Sequence, residues 1–252
     1  MNTRSRVLFV SGLAICSSLA WAEDQAPSPP PSPFSANVAL TSNYMFRGQS
    51  QTNDGPAIQG GFDFKHGSGL YLGTWASNVD FNEPDTDANG KSLGRRAHME
   101  LDLYGGFSRE LVKDLSFDVG LHGYLYPRAG SARDFDYYEA YGGLTYKMFG
   151  VKYWHSPDFF GGSGTGDYVE GNVNVPLPLD FGLALHVGHQ WIEKNDVFGS
   201  PDWTDWAVTV SKTLGGFNFS LGYVDTDLSE QDCFGGTTLC KAKAVFTISK
   251  TM

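Results

Sequence analysis

At 252 residues, with a formal net charge of −10 and a pI near 4.9, the chain has room for one or two domains and carries a surface that repels nucleic-acid phosphate. Beyond the N-terminal segment no apolar run reaches the ~18 to 20 residues of a membrane helix. A mean hydropathy of −0.26 does not exclude membrane strands, whose alternate polar positions average out the signal.

The chain opens with Arg4 and Arg6, an acid-free apolar stretch from Val7 to Ala20, and Ala20-Trp21-Ala22 as a small-x-small cleavage site. Residues 1–22 therefore read as a cleaved export signal. Leu13-Ala14-Ile15-Cys16 resembles a lipoprotein signal only loosely, because Ile15 stands where a small residue is needed. Loss of Arg4 and Arg6 leaves 16 basic residues against 28 acids, a mature net charge of −12. Residues 23–34, with the proline-rich run Gln25 to Pro33, form an extended periplasmic leader unable to build a core or a ladder.

From Ser35 to the end the apolar period is two, which predicts an all-β domain over 35–252. In the first strand Val38, Leu40, Ser42 and Tyr44 oppose Asn37, Thr41 and Asn43. Ile58, Phe62 and Phe64 then oppose Gln59, Asp63 and Lys65. In Leu70–Val79 we assign Tyr71, Trp75 and Val79 to the outward face. Met99, Leu101, Leu103 and Phe107 alternate with His98, Glu100, Asp102 and Tyr104. Leu115, Phe117, Val119 and Leu121 alternate with Ser116, Asp118, His122 and Tyr124. Tyr138, Ala140, Leu144 and Tyr146 alternate with Tyr137, Glu139, Tyr141 and Thr145. Val151–Ser156 is a short strand of open facing. Val169, Val173 and Val175 oppose Tyr168, Glu170 and Asn172, and Leu183, Leu185 and Val187 oppose Ala184, His186 and Gly188. Strands around Trp206–Val210, Phe217–Tyr223 and Ala244–Ile248 complete a count of about twelve.

The links alternate in length. His66–Gly69, Ser108–Asp114, Lys147–Gly150, Pro176–Asp180 and Lys212–Gly216 are tight. Arg47–Gly55, Asn82–Arg96, Pro127–Asp134, Asp158–Asp167, Trp191–Thr204 and Asp225–Cys240 are mostly longer and rich in Gly and acids. Short periplasmic turns alternating with long external loops describe a transmembrane, antiparallel, up-and-down β-barrel with both termini periplasmic. Alternation alone leaves inside and outside open. A closed barrel with Asp63, Glu100, Asp102, Asp118, Glu139 and Glu170 on one face is most easily solvated with those acids in its lumen and an apolar coat against lipid. Tyr44, Tyr71, Tyr146, Tyr223 and Trp206 near strand ends are expected in the interfacial girdles.

The runs Asn43-Tyr44-Met45-Phe46-Arg47-Gly48-Gln49-Ser50-Gln51, Leu72 to Val79, Met99 to Gly106, Asp136-Tyr137-Tyr138-Glu139 and Val187-Gly188-His189 resemble the TorF-type porin family, long filed as conserved hypothetical proteins, over roughly 35 to 252. That resemblance implies an outer-membrane channel. The chain departs from the usual barrel ending by closing on Met252 instead of Phe or Trp, with Lys250 able to snorkel toward headgroups.

Candidate pore-lining residues are Arg47, Asp63, Glu100, Asp102, Asp118, His122, Glu139 and Glu170. Arg47 serves either as a constriction arginine facing the lumen acids or as a salt bridge at the rim. The acids either favour cations or are neutralised by Lys65, Lys152, Arg47 or Lys243. Glu100 and Asp102 share a face without a nucleophile, and His155 and Ser156 point to opposite faces, so neither pair suggests catalysis. Residues 82–96 are acidic and Gly-rich but lack the acid spacing of a calcium loop. Cys233 and Cys240 are expected to form a disulfide in an oxidising compartment, and two Cys without clustered His make no zinc site. The sequence thus suggests a non-enzymatic porin-like channel for small polar solutes or ions, without cofactor or metal, in contact with outer-membrane lipid and lipopolysaccharide. The alternative is a plugged structural or adhesive barrel that binds a partner through its acidic external loops.

Overall fold

A strand with a two-residue apolar period can satisfy its backbone only by pairing on both edges, and a run of such strands joined by tight turns does so by closing on itself. The structure, a computed structural model, describes residues 32–81, 97–127, 129 and 135–252. The signal segment, most of the leader and the 82–96 loop lie outside these. The strands are β1 (Phe34–Thr41), β2 (Met45–Phe46), β3 (Gln49–Ser50), β4 (Ala57–Lys65), β5 (Leu70–Phe81), β6 (Ala97–Val112), β7 (Leu115–Leu125), β8 (Tyr137–Tyr146), β9 (Phe149–Ser156), β10 (Gly166–Leu177), β11 (Phe181–Ile192), β12 (Trp203–Leu214), β13 (Phe217–Thr226) and β14 (Lys243–Thr251). Sequential neighbours pair antiparallel, and β1 closes the ring by pairing with β4 on one side and β14 on the other. The ring holds twelve strands. Among the described residues only β2 and β3 stand apart, as a separate two-stranded ribbon.

Between ring strands the links 66–69, 113–114, 147–148, 178–180 and 215–216 are tight, and they lie at one end. The Gly215-Gly216 turn has φ of 59° and 79°, the left-handed pair that matches the twist of a two-residue hairpin. β6 runs through Val112, past the turn expected at Ser108, with a register shift between Glu110 and Val112 absorbing the extra residues.

The outer wall is apolar around the ring: Leu40, Ile58, Phe62, Leu72, Leu103, Leu121, Leu144, Val151, Val187, Val208, Leu221 and Phe246 are all exposed. An apolar coat of this extent would make a water-soluble monomer aggregate, and it is the surface that a bilayer covers. At the tight-turn end Lys147, Lys212 and Lys250 lie over the rings of Tyr146, Phe181 and Phe217, at 5.2, 4.4 and 4.9 Å. It is the ammonium groups that lie over the ring faces, as cation–π contacts.

Three facings differ from expectation. In β5 Leu70 and Leu72 face out, whereas Tyr71, Trp75 and Val79 face in. The Tyr71 hydroxyl donates to Asp118 at 2.5 Å, a bond unavailable in hydrocarbon, so the amphipathic aromatics take the polar side. Tyr44 also lies inside, edge-on to Trp75 at 5.4 Å, so Tyr44 and Tyr71 leave the girdle assignment. The link after β1 is the third difference. Instead of standing outside, it folds into the barrel.

The larger cluster of buried apolar residues sits inside the long-loop end of the lumen. Val79, Tyr124, Tyr126, Phe135, Tyr137, Phe159, Ile192 and Trp203 form one cluster there. Phe135 stacks on Phe160 at 4.8 Å, and Phe198, in the one-turn helix α1 (Asn195–Phe198), stacks on Trp203 at 5.5 Å. Offset aromatic pairs of this kind add about 0.5–1.5 kcal/mol each beyond their buried area. Among the described residues these rings pack together within the lumen at that end.

Candidate pore constriction

The segment 42–56 enters the lumen because its own polar groups are satisfied there. Asn43 anchors it: its Oδ1 accepts from Ser50 Oγ at 2.7 Å and Thr52 Oγ1 at 3.1 Å, and its Nδ2 donates to Asp54 at 3.1 Å. β2 and β3 then form a hairpin whose two turn residues, Arg47 and Gly48, have φ of 47° and 79°. Arg47 pays a local strain of about 1 kcal/mol for the left-handed conformation. Gly48 is required by contact as well as by φ, because a Cβ there would lie 2.4 Å from Thr226 Cγ2 and 2.8 Å from Asp205 Cβ.

This turn carries Arg47 across the lumen. Its guanidinium donates to both carboxylate oxygens of Glu139 at 2.7 and 2.8 Å and to Gln190 Oε1 at 2.5 Å. Gln190 is oriented by its own amide, which donates to the carbonyls of Asp167 and Trp191. The guanidinium lies 4.2 Å from the Tyr168 ring centroid and 4.7 Å from that of Phe46, and Trp203 Nε1 donates to the Arg47 carbonyl at 2.9 Å. Tyr124 supplies Glu139 with a further hydroxyl at 3.1 Å. The Arg47 side chain is 5% exposed and those of Glu139 and Gln190 are 0%. At this level the lumen is closed.

The other predicted lining residues all face inward, grouped in small networks. Glu100 accepts from the Tyr44 hydroxyl at 2.9 Å, and Asp102 pairs with His122 Nε2 at 2.9 Å. Asp118 takes Lys152 at 3.1 Å as well as Tyr71, whose hydroxyl also meets that of Tyr141. Asp63 accepts from Tyr104 at 2.7 Å. Glu170 accepts from Trp154 Nε1 at 2.9 Å and from Asn172 at 3.0 Å. Arg47 is therefore buried within the barrel and not paired at its rim, and Lys152 pairs with Asp118. Lys243 pairs with Asp54 of the inserted segment, and Lys65 stands at the exposed tight-turn end. Towards that end Asp63, Tyr71, Tyr104 and Lys152 face inward and are half-buried.

Gln190, Trp203, Tyr168 and Asp205 were missed as site residues. Asp205 accepts from Tyr168 at 2.9 Å and pairs with His186 at 2.9 Å. The signal was available: with Trp206, Val208 and Val210 facing out, parity alone turns Asp205 inward. On the outer wall His155 pairs with Asp167, which also accepts from Tyr153, while Ser156 is fully buried on the opposite face. Cys233 and Cys240 form the expected disulfide, with Cα atoms 5.9 Å apart. Among the described residues no group of three His, Cys, Asp or Glu side chains is placed to hold a metal.

Three comparisons set this architecture beside known proteins. The model of a family described as a bacterial protein of unknown function (Gcw_chp) matches residues 24–252. No curated protein matches the chain. Among solved structures the NanC porin is similar at a TM-score of 0.54 and 10% identity, over 86% of this chain and 98% of that one. The KdgM porin is similar at a TM-score of 0.51 and 8% identity, over 86% and 97%. At such identities the likeness is one of fold.

Proposed function

We propose that this chain, which belongs to the Gcw_chp family, is a non-enzymatic outer-membrane channel for small polar solutes or ions, with Arg47 at its constriction. One observation carries the reading: polarity is inverted relative to a water-soluble barrel, with charged side chains within and an apolar coat without. The barrel fold shared with porins supports it. The TorF-type likeness, resting on the motifs around Arg47, Trp75 and Glu100, belongs to the same proposal. So does the orientation, with the termini and the Lys147, Lys212 and Lys250 end in the periplasm and the long loops facing lipopolysaccharide.

For the permeant we favour cations over anions. The inward acids Asp63, Glu100, Asp102, Asp118, Glu139, Glu170 and Asp205 outnumber the inward bases Arg47, Lys65 and Lys152, with Lys243 paired to Asp54 of the inserted segment, so the described lumen has an acidic excess. Reversal potentials across a planar bilayer under a salt gradient test this. A cation-selective potential supports it, and an anion-selective one sinks the preference. The closed layer at Arg47 and the aromatic cluster also favour a second reading, a plugged structural barrel. A barrel that stays silent after its inserted segment is removed would favour that reading.

A further inference from the structure

The inserted segment is held from above by the only disulfide among the described residues. The Ser50 backbone N–H, in β3, donates to the Leu239 carbonyl at 3.0 Å, one residue before Cys240. The Cys240 carbonyl accepts from Thr226 Oγ1 at 2.8 Å, and the Thr226 methyl is the atom against which Gly48 is packed. On the far side of the loop Phe234 follows Cys233. Its ring lies 5.5 Å from Phe198, and Phe198 stacks on Trp203, whose indole donates to the Arg47 carbonyl. Two routes thus run from the disulfide to the Arg47 turn, one through the Ser50 and Thr226 hydrogen bonds and one through aromatic contacts. Both sulfurs sit in residues only 1% exposed.

We propose that the Cys233–Cys240 loop is a covalent latch that keeps segment 42–56 inside the barrel, so that opening the disulfide releases the segment and raises conductance. The link to conductance rests on the channel reading above; the link to segment position does not. The bridge spans a sequence separation of 7, so cutting it frees a short loop whose disorder competes with the latched arrangement. The loop-closure entropy of so short a ring corresponds to a factor on the order of ten to a hundred in the released-to-latched ratio. The opening step is thiol–disulfide exchange with an added dithiol. The dithiol gives up two electrons and two protons and closes to its own cyclic disulfide, while Cys233 and Cys240 become thiols. Because both cysteines are buried, exchange waits for the loop to lift and is slow.

The test uses the full-length barrel in lipid, oxidised, treated with dithiothreitol, and as the double variant Cys233→Ser/Cys240→Ser. Amide hydrogen exchange over residues 42–56 is the primary readout. The latch predicts exchange at least ten-fold faster in that segment after reduction and in the double variant, with β6 to β8 unchanged. Reduction should have no effect on the double variant. Unchanged exchange over 42–56 overturns the latch, whatever the conductance. Reduction of the already folded protein avoids any failure of the double variant to assemble. Planar-bilayer recordings of the same samples then separate the two ideas: faster exchange with higher open probability supports both. Faster exchange with a silent bilayer supports the latch and counts against the channel.

Discussion

Arg47 and Glu139 form a buried pair in which one guanidinium nitrogen, Nη2, meets both carboxylate oxygens, so removing one partner strands the other. In Arg47→Ala the Glu139 carboxylate keeps the Tyr124 hydroxyl but loses two charge-assisted bonds in a place where its side chain is fully buried. Breaking such a pair costs about 3–5 kcal/mol, most of it from the uncompensated charge. Here the lower end applies, about 3 kcal/mol, because Glu139 keeps one hydroxyl donor when the guanidinium is gone. Gln190, fully buried, also loses the donor to its Oε1. Glu139→Gln leaves Arg47 charged but able to donate to an amide oxygen, at a cost of about 2 kcal/mol. In the double variant no charge is stranded, so the loss falls well short of the sum, with a coupling of about 2 kcal/mol. Reversible urea unfolding of the barrel in lipid vesicles measures all three. Additive losses, or an Arg47→Ala barrel within ~0.5 kcal/mol of wild type, would refute the claim that this pair holds the segment in place.

Further outcomes follow from local geometry. Gly48→Val places a branched Cβ in a left-handed turn against Thr226 and Asp205, and should cost about 2 kcal/mol or more in the same unfolding assay. Gly67→Ala, with nothing within 4 Å of the added carbon, should stay within ~0.5 kcal/mol. In β5, Leu72→Arg puts a cation on the lipid face and should cost about 2–4 kcal/mol, whereas Tyr71→Phe inside the lumen should cost only about 1 kcal/mol. The reverse order would restore the original facing of that strand. Trp203→Phe keeps the stack on Phe198 but loses the N–H to the Arg47 carbonyl, and should speed amide exchange over 42–56 without lowering overall stability by more than about 1.5 kcal/mol.

Much of the barrel was legible because alternation couples face to chemistry wherever a strand mixes aliphatic and charged residues. β6 and β7, with Leu103 and Leu121 against Glu100, Asp102 and Asp118, leave no choice of facing. β5 offers no such contrast. Leu70–Phe81 sets Tyr71 and Trp75 against Leu72, Thr74 and Ala76, and an aromatic ring with a polar tip suits either side until its hydrogen-bond partner is known. The inserted segment was illegible for a different reason. Asn43, Ser50, Thr52 and Asp54 make it look like any solvated loop, and its direction is decided by Glu139, Gln190 and Trp203, more than ninety positions away in the chain. Seven of the eight candidate lining residues emerged from parity, Arg47 being the exception, but their grouping into pairs depends on register around a closed ring.

The central claim is that a polar lumen lies beneath a removable closure. Single-channel recording of wild type beside a variant in which residues 44–52 are replaced by a short Gly-Ser linker tests it most directly. The account predicts a wild-type barrel that is closed or flickers briefly and a shortened variant that conducts steadily with cation preference. A folded, membrane-inserted variant that passes no current would contradict it.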